Sequence, residues 1–444
     1  MKKHIKLFVV LGILLVGSFS FYLFKGFKKD NMVYKDNKIN PLSGGIAMML
    51  ETEAGSGNYE MTTRSEWPTE GYVFNENLSK CEKGSKLSWD NENKKVLMSG
   101  NKSDKCYVYF DVYVKPQVLL ADYLKSLYTG TQGANNMYYH DANLTNGAGD
   151  NSYRFAGASE EVNNYVCFGT NVTPCPTDNL YRIIGVFGDR VKLIKADYAT
   201  TALLGADGDY SKMYTANGWD NSAYKGNNLA NIAAYNWNKS NQNTWSLSNI
   251  NKTNLNTNFI TNIGADWAAK IADTTWKVGG NTWANIGTQP AKTAYQNEIV
   301  NPVTTNSQDN KTEYSAKIGL MYVSDYMYAA PQDKWTLVGY NSSDASKDYR
   351  AATSVNWMYM GLYEWTFSRD ADRSDSAFHV YSTGYVSSYR VGDRAYGVRP
   401  VFSLTSSVNY VSGSGTAADP ILVNLWLGDY ACLSNASMVY AKKW

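Results

Sequence analysis

The sequence predicts an α+β chain rich in strand, with a small β-rich module and a larger mixed body following one N-terminal membrane helix. Three observations carry that expectation. Only 18% of the 444 residues are charged while 35 are Tyr and 13 are Trp, so the chain can build cores beneath a surface that is polar rather than charged. Period-two alternation recurs between turn-forming residues, as in Tyr59-Glu60-Met61-Thr62-Thr63 and Cys106-Tyr107-Val108-Tyr109-Phe110-Asp111-Val112. One apolar run, Ile5 to Phe24, is long enough to cross a hydrocarbon layer of about 30 Å as a helix. With 42 basic against 40 acidic residues there is no electrostatic footprint for nucleic acid, and that partner class is excluded.

Residues 1–29 are read as a signal anchor. Lys2, Lys3 and Lys6 lie at its start and Lys25, Lys28 and Lys29 follow it. Small residues at Val16-Gly17-Ser18 would suit a signal peptidase, so a cleaved signal is the alternative, yet Phe19 to Phe24 continues the apolar run past that point. A buried soluble helix is the third reading. Either leading case makes the protein a single-pass cell-membrane or secreted protein with an extracellular body. Residues 30–43 form a polar stalk.

Residues 44–116 are expected to be a disulfide-stapled β module, a sandwich or barrel. Cys81 and Cys106 bracket its later part, and Cys167 and Cys175 bracket a hairpin-sized loop further on. No C-x-x-C occurs, which disfavours a zinc ribbon or thioredoxin-like site, and two local disulfides fit an exported chain. Four unpaired buried cysteines are the alternative, and Cys432 is left over in both. The wording Trp67-Pro68, Gly71-Tyr72-Val73-Phe74-Asn75 and Leu87-Ser88-Trp89-Asp90 looks like a spacer module of Gram-positive surface proteins.

Residues 117–149 read as helix and linker. Val118, Leu119, Leu120, Tyr123, Leu124 and Leu127 make a helical stripe, and a Gly/Asn-rich loop follows. In the 150–424 domain, Tyr181 to Phe187 and Val191 to Lys195 flank Gly188-Asp189-Arg190, a hairpin signal. Asn227 to Trp237 is expected to be a short helix, Asn238 to Asn262 a loop, and Lys317 to Tyr326 a buried strand. Residues 425–444 form a divergent tail.

The last quarter of the chain carries the most specific wording: Trp365-Thr366-Phe367-Ser368, His379-Val380-Tyr381, and Tyr396-Gly397-Val398-Arg399-Pro400-Val401-Phe402-Ser403-Leu404. It resembles the closing segment of C-type-lectin-like domains related to formylglycine-generating enzyme (sulfatase-modifying-factor-related), found in bacterial surface proteins. Some of those are targets of diversity-generating retroelements. The resemblance implies a rigid scaffold displaying variable loops, hence a binding face. The oxidase branch of the superfamily needs a cysteine pair late in its domain, and the only cysteine after Cys175 is Cys432. The iron-dependent branch needs a histidine cluster, and only His140 and His379 lie outside the N-terminal segment. A metal-dependent oxidase-like enzyme is therefore the least favoured class.

Other chemistry is sparse. No G-x-S-x-G, H-E-x-x-H or Walker A motif occurs. His379 lies near Ser374, Asp375 and Ser376, but catalytic triads are spatial and a structural histidine is the preferred reading. Asp370, Asp372 and Asp375, or Asp207, Asp209 and Asp220, supply the hard oxygens calcium favours but lack EF-hand spacing. No cofactor is expected, calcium being the sole alternative. Arg399, between Val398 and Pro400, needs a partner, and a salt bridge beneath the loops is expected.

From Tyr340 through Tyr396 there are eight Tyr, ten Ser, six Asp and five Arg. Tyrosine gives large contact area at little rotamer cost, serine adaptable hydrogen bonds, and arginine stacking and bidentate contacts. The residues expected to touch ligand are Trp357, Tyr359, Trp365, Arg369, Arg373, Tyr381, Tyr385, Tyr389 and Arg390. Non-catalytic recognition of a protein or glycan at a cell surface is the leading expectation. A structural cell-envelope or pilus-like component is the alternative.

Overall fold

The computed structural model describes the backbone of residues 32–33 and residues 45–101, 103–114, 116–303 and 312–424. The expected membrane segment at 1–29, nearly all of the 30–43 stalk and the 425–444 tail with Cys432 lie outside them. Among the described residues no helix is long and apolar enough to cross a membrane. The fold is mixed α+β and strand-rich, with several sheets. It divides into two compact units at Pro116/Gln117.

In the first unit, Tyr59–Met61, Ile46–Glu51, Cys106–Val112 and Tyr72–Cys81 form one sheet in that order. Lys86–Asp90 and Lys95–Ser99 form a hairpin in a second. Alternation sets the burial: Ile46 and Met48 point inward, as do Cys106, Val108 and Phe110, and they share a core with Val96 and Met98 of the hairpin and with Trp67. Cys81 and Cys106 face each other across neighbouring strands and are bonded. The second expected bridge, Cys167–Cys175, is also formed. Two disulfides mark an oxidising, extracytoplasmic compartment.

The second unit is built on an antiparallel sheet in the order Ile318–Gly319, Val401–Ser403, Arg190–Lys195, Leu180–Phe187, Tyr153–Phe155, Met137–Tyr139, with Tyr165–Cys167 also paired to Leu180–Phe187. The hairpin expected at Gly188-Asp189 is its centre. Leu180–Phe187 is buried almost throughout, as a strand covered on both faces should be. Gly185 sits at a register shift in that strand, and a Cβ there would lie 2.2 Å from the Tyr153 carbonyl oxygen. A second sheet pairs Gly280–Asn281 in parallel with Glu364–Asp370, which continues antiparallel to Ser376–Val380 and Val386–Arg390. A third joins Tyr210–Met213, Ala233–Asn236 and Ala395–Tyr396.

The helix expected within 117–149 is present as Leu120–Ser126, which buries Leu120, Ala121 and Leu124, and beyond it Met137–Tyr139 is an edge strand of the main sheet. Three local expectations are corrected. Within 227–237 the helix is a single turn, Leu229–Asn231, and Ala233–Asn236 is a buried strand. The Asn/Thr-rich stretch expected as a loop is one only as far as Asn249; from there it is a π-helical run, Ile250–Phe259, continuing into Ile260–Asn262. Its asparagines replace backbone partners: Asn254 donates to the Leu204 carbonyl (2.8 Å), and Asn256 both donates to and accepts from the Ile318 backbone (3.0 Å each). In 317–326 only Ile318–Gly319 is strand, and Val323–Tyr328 is a buried helix.

Candidate ligand-binding face

The Glu364–Asp370 strand is buried along its whole length and forms the floor of the region. Trp365 packs on Tyr396 at 4.4 Å and donates its indole N–H to the Tyr235 carbonyl at 2.8 Å. Trp357 donates to the Phe155 carbonyl at 2.8 Å beneath the Arg182 guanidinium. Tyr359 donates to the Ser382 carbonyl at 2.6 Å. Trp357, Tyr359, Trp365 and Arg369 are thus core residues, exposed by 6% or less. They support the face rather than line it, which corrects their expected role as ligand contacts.

Arg399 lies at the centre of this floor. It donates from Nε to Glu364 Oε1 (2.7 Å) and from Nη2 to Glu364 Oε2 (2.9 Å), and Nη2 also reaches the Met358 carbonyl (2.7 Å). This is the salt bridge expected beneath the loops. Burial pushes the Glu364 carboxyl upward and Arg399 opposes that push.

Above the floor, the turn joining Ser376–Val380 to Val386–Arg390 carries Tyr381 and Tyr385. Its backbone is fixed three ways: Tyr381 N–H donates to the Tyr385 carbonyl (2.8 Å), Tyr326 Oη to the Gly384 carbonyl (2.7 Å), and Tyr359 Oη to the Ser382 carbonyl. Gly384 has φ +95°, which a side-chain-bearing residue rarely adopts. Tyr381 and Tyr385 stack at 4.5 Å with 16° between ring planes. Tyr385 continues to Tyr340 at 5.0 Å, and Tyr381 to Tyr363 at 4.3 Å and on to Trp219 at 4.7 Å. The outcome is a row of five half-buried rings, Tyr340–Tyr385–Tyr381–Tyr363–Trp219, drawn from four separate parts of the chain.

Cations edge the row. The Arg350 guanidinium lies 5.5 Å from the Tyr385 ring and 5.9 Å from the Tyr340 ring, and buried Asp348 holds it there at 2.6 Å. Arg394 lies 5.4 Å from exposed Tyr389. Arg390 is exposed and lies near Asp375 and Asp393, and Arg373 is exposed on the neighbouring turn. Burial raises the Tyr363 and Tyr385 phenols, so both remain protonated donors at neutral pH. Aromatic faces with phenolic donors and a guanidinium suit sugar rings or the planar side chains of a protein. Tyr340, Tyr363, Trp219, Arg350 and Arg394 were missed by composition. The only sequence signal for Trp219 is a large aromatic set in the turn wording Gly218-Trp219-Asp220.

His379 does not assemble a triad. It is buried against Trp365 and Tyr396, burial pushes its imidazole down to about 3, and the Ser376 hydroxyl donates to Asp375 instead (2.9 Å). The two aspartate runs are spent on the protein itself. Asp370 accepts from Ser388 Oγ (2.7 Å), and Asp209 accepts from the Lys239 (3.0 Å) and Ile250 (2.7 Å) backbone N–H groups. Among the described residues no group of three His, Cys, Asp or Glu is placed to hold a metal ion. No family model, curated protein or solved structure matches this chain.

Proposed function

We propose that this is a non-catalytic cell-surface recognition protein, held to the membrane by its N-terminal segment, that binds a protein or glycan ligand through the ring row and its flanking loops. The observation that carries the reading is the continuous row of five half-buried aromatic rings, two of them, Tyr381 and Tyr385, on a turn whose backbone is fixed from below. Half-buried rings that are already ordered lose little freedom on binding. The resemblance to C-type-lectin-like domains adds to it: the hairpin at 180–195, the Ile318-to-Tyr326 segment, the Trp365 strand and the Val398-Arg399-Pro400 segment follow one another in the order the resemblance implies, although of the second only Ile318–Gly319 is strand.

The test is binding of the purified full chain to panels of bacterial cells, host cells and glycans, with calcium and with chelator. Saturable binding is expected, weakened tenfold or more in Tyr381→Ala and Tyr385→Ala with urea midpoints near wild type. No saturable binding on any panel, or binding untouched by both substitutions, removes the recognition reading and favours a structural envelope role.

A further inference from the structure

A second cluster of functional groups lies buried in the core of the same unit. Lys192, from the central Arg190–Lys195 strand, reaches Asp325 on the Val323–Tyr328 helix, with Nζ 2.5 Å from Oδ2 across 133 residues of sequence. The Lys192 side chain is 9% exposed and that of Asp325 1%. Aromatic rings wall the ammonium: Tyr322 at 4.9 Å, Phe187 at 5.4 Å and Trp276 at 5.8 Å. Asp325 Oδ1 has no hydrogen-bond partner among the described residues and faces Arg154 Nη1 at 3.7 Å. Arg154 is itself balanced by Asp150 at 2.6 Å. Fully buried Glu298 accepts from the Val323 (3.2 Å) and Ser324 (3.0 Å) backbone N–H groups and from Ser368 Oγ, which fixes the first turn of the helix bearing Asp325.

We propose that Lys192 and Asp325 are joined by an intramolecular amide bond, a covalent cross-link between the central strand and this helix.

The chemistry follows from the contact. An ion pair walled by rings carries a desolvation penalty for both charges, and moving one proton from Nζ to the carboxylate removes both charges at once. Burial already pushes the Lys192 ammonium downward and fully buried Glu298 up to about 7, while Asp150 and Asp325 outweigh burial and keep the neighbouring Arg154 guanidinium charged. The Nζ lone pair then attacks Cγ, and the Nζ–Cγ bond forms. Negative charge gathered on Oδ1 in the tetrahedral stage faces the Arg154 guanidinium, which acts as an oxyanion stabiliser. The Cγ–Oδ2 bond breaks and Oδ2 leaves as water, carrying two of the three ammonium hydrogens while the third stays on the amide nitrogen. No oxidant, reductant or outside proton is needed. Reactants held in contact can reach effective molarities on the order of 10⁵ M or more, which is what allows amide formation without an activated ester.

The test is a tryptic digest of the folded full chain analysed by mass spectrometry, a readout indifferent to processing of the N-terminus. The expected product is a branched peptide, residues 191–195 joined to residues 318–334, one water lighter than the two together and uncut after Lys192. Asp325→Asn should give the identical branched peptide, because ammonia replaces water as the leaving group, and Lys192→Arg should give none. Recovery of residues 193–195 and 318–334 as separate peptides from wild-type protein in full yield overturns the proposal. So does a dehydrated 318–334 peptide without its branch, which would mean a cyclic imide at Asp325.

Discussion

Removing the Arg399 guanidinium as Arg399→Met leaves the Glu364 carboxyl, 2% exposed, without its cation. That carboxyl then has two courses: to stay ionised in an apolar site or to take up a proton. Protonation sets the ceiling. For a glutamate whose unfolded pKa is about 4.3, holding a proton in the folded state costs about 3.7 kcal/mol at pH 7 and about 1 kcal/mol at pH 5. The hydrogen bond lost at the buried Met358 carbonyl adds about 1 kcal/mol at either pH. The variant should therefore be less stable than wild type by up to about 4–5 kcal/mol at pH 7, in line with the range for breaking a buried pair, and by up to about 2 kcal/mol at pH 5. The sign follows from the raised carboxyl. With a folded pKa above the unfolded one, its contribution is whole below the unfolded pKa and is lost as pH rises through the folded value. Urea unfolding followed by tryptophan fluorescence at both pH values, wild type against variant, measures the difference. A loss below about 1 kcal/mol at pH 7, or equal losses at the two pH values, would refute the argument.

Three further outcomes are expected. His379, pushed down to about 3 by burial, contributes stability that is present above the unfolded histidine pKa of about 6.5 and is lost as pH falls toward 3. That loss is about 2 kcal/mol at pH 5, and His379→Phe should flatten the acid limb of the stability profile by that amount relative to wild type. On the loop-entropy model, with sequence separations of 25 and 8, Cys81→Ser/Cys106→Ser should cost about 3.5 kcal/mol and Cys167→Ser/Cys175→Ser about 2.5 kcal/mol, read from denaturant midpoints. Gly384→Ala should cost about 1–3 kcal/mol, because φ is +95° and a Cβ there would lie 2.1 Å from Thr353 Cγ2; a melting temperature equal to wild type counts against the constrained turn.

The parts of the fold legible in the sequence are those where one local signal dominates. The 180–195 hairpin was legible because two apolar runs flank Gly188, whose φ of +65° the turn requires. Both disulfides were legible from spacing in an exported chain. Lys317 to Tyr326 was not, since a short apolar run reads equally as strand or buried helix. What tips it is a residue remote in sequence: buried Glu298 accepts from the Val323 (3.2 Å) and Ser324 (3.0 Å) backbone N–H groups and starts a helix there. The 250–262 helix was hidden because asparagine ordinarily signals solvated loops, whereas Asn251, Asn254 and Asn256 bond backbone atoms inside the unit. For the ring row, composition located the neighbourhood but not the members. Trp357 and Trp365 have the same residue type as Trp219, and only tertiary packing separates a floor from a face.

The display turn is fixed through backbone oxygens: Tyr326 and Tyr359 grip the carbonyls of Gly384 and Ser382, and neither hydrogen bond uses the side chain of the residue it holds. The outward positions around it, including Thr383, Tyr389 and Arg390, are exposed. Substitutions there would alter what is presented without unfastening the hairpin that presents it. Point substitution at those positions therefore carries a stability cost near that of an ordinary surface change, so on the proposed recognition role divergence between sister proteins should gather on the outward positions and spare Tyr326, Tyr359, Glu364 and Arg399.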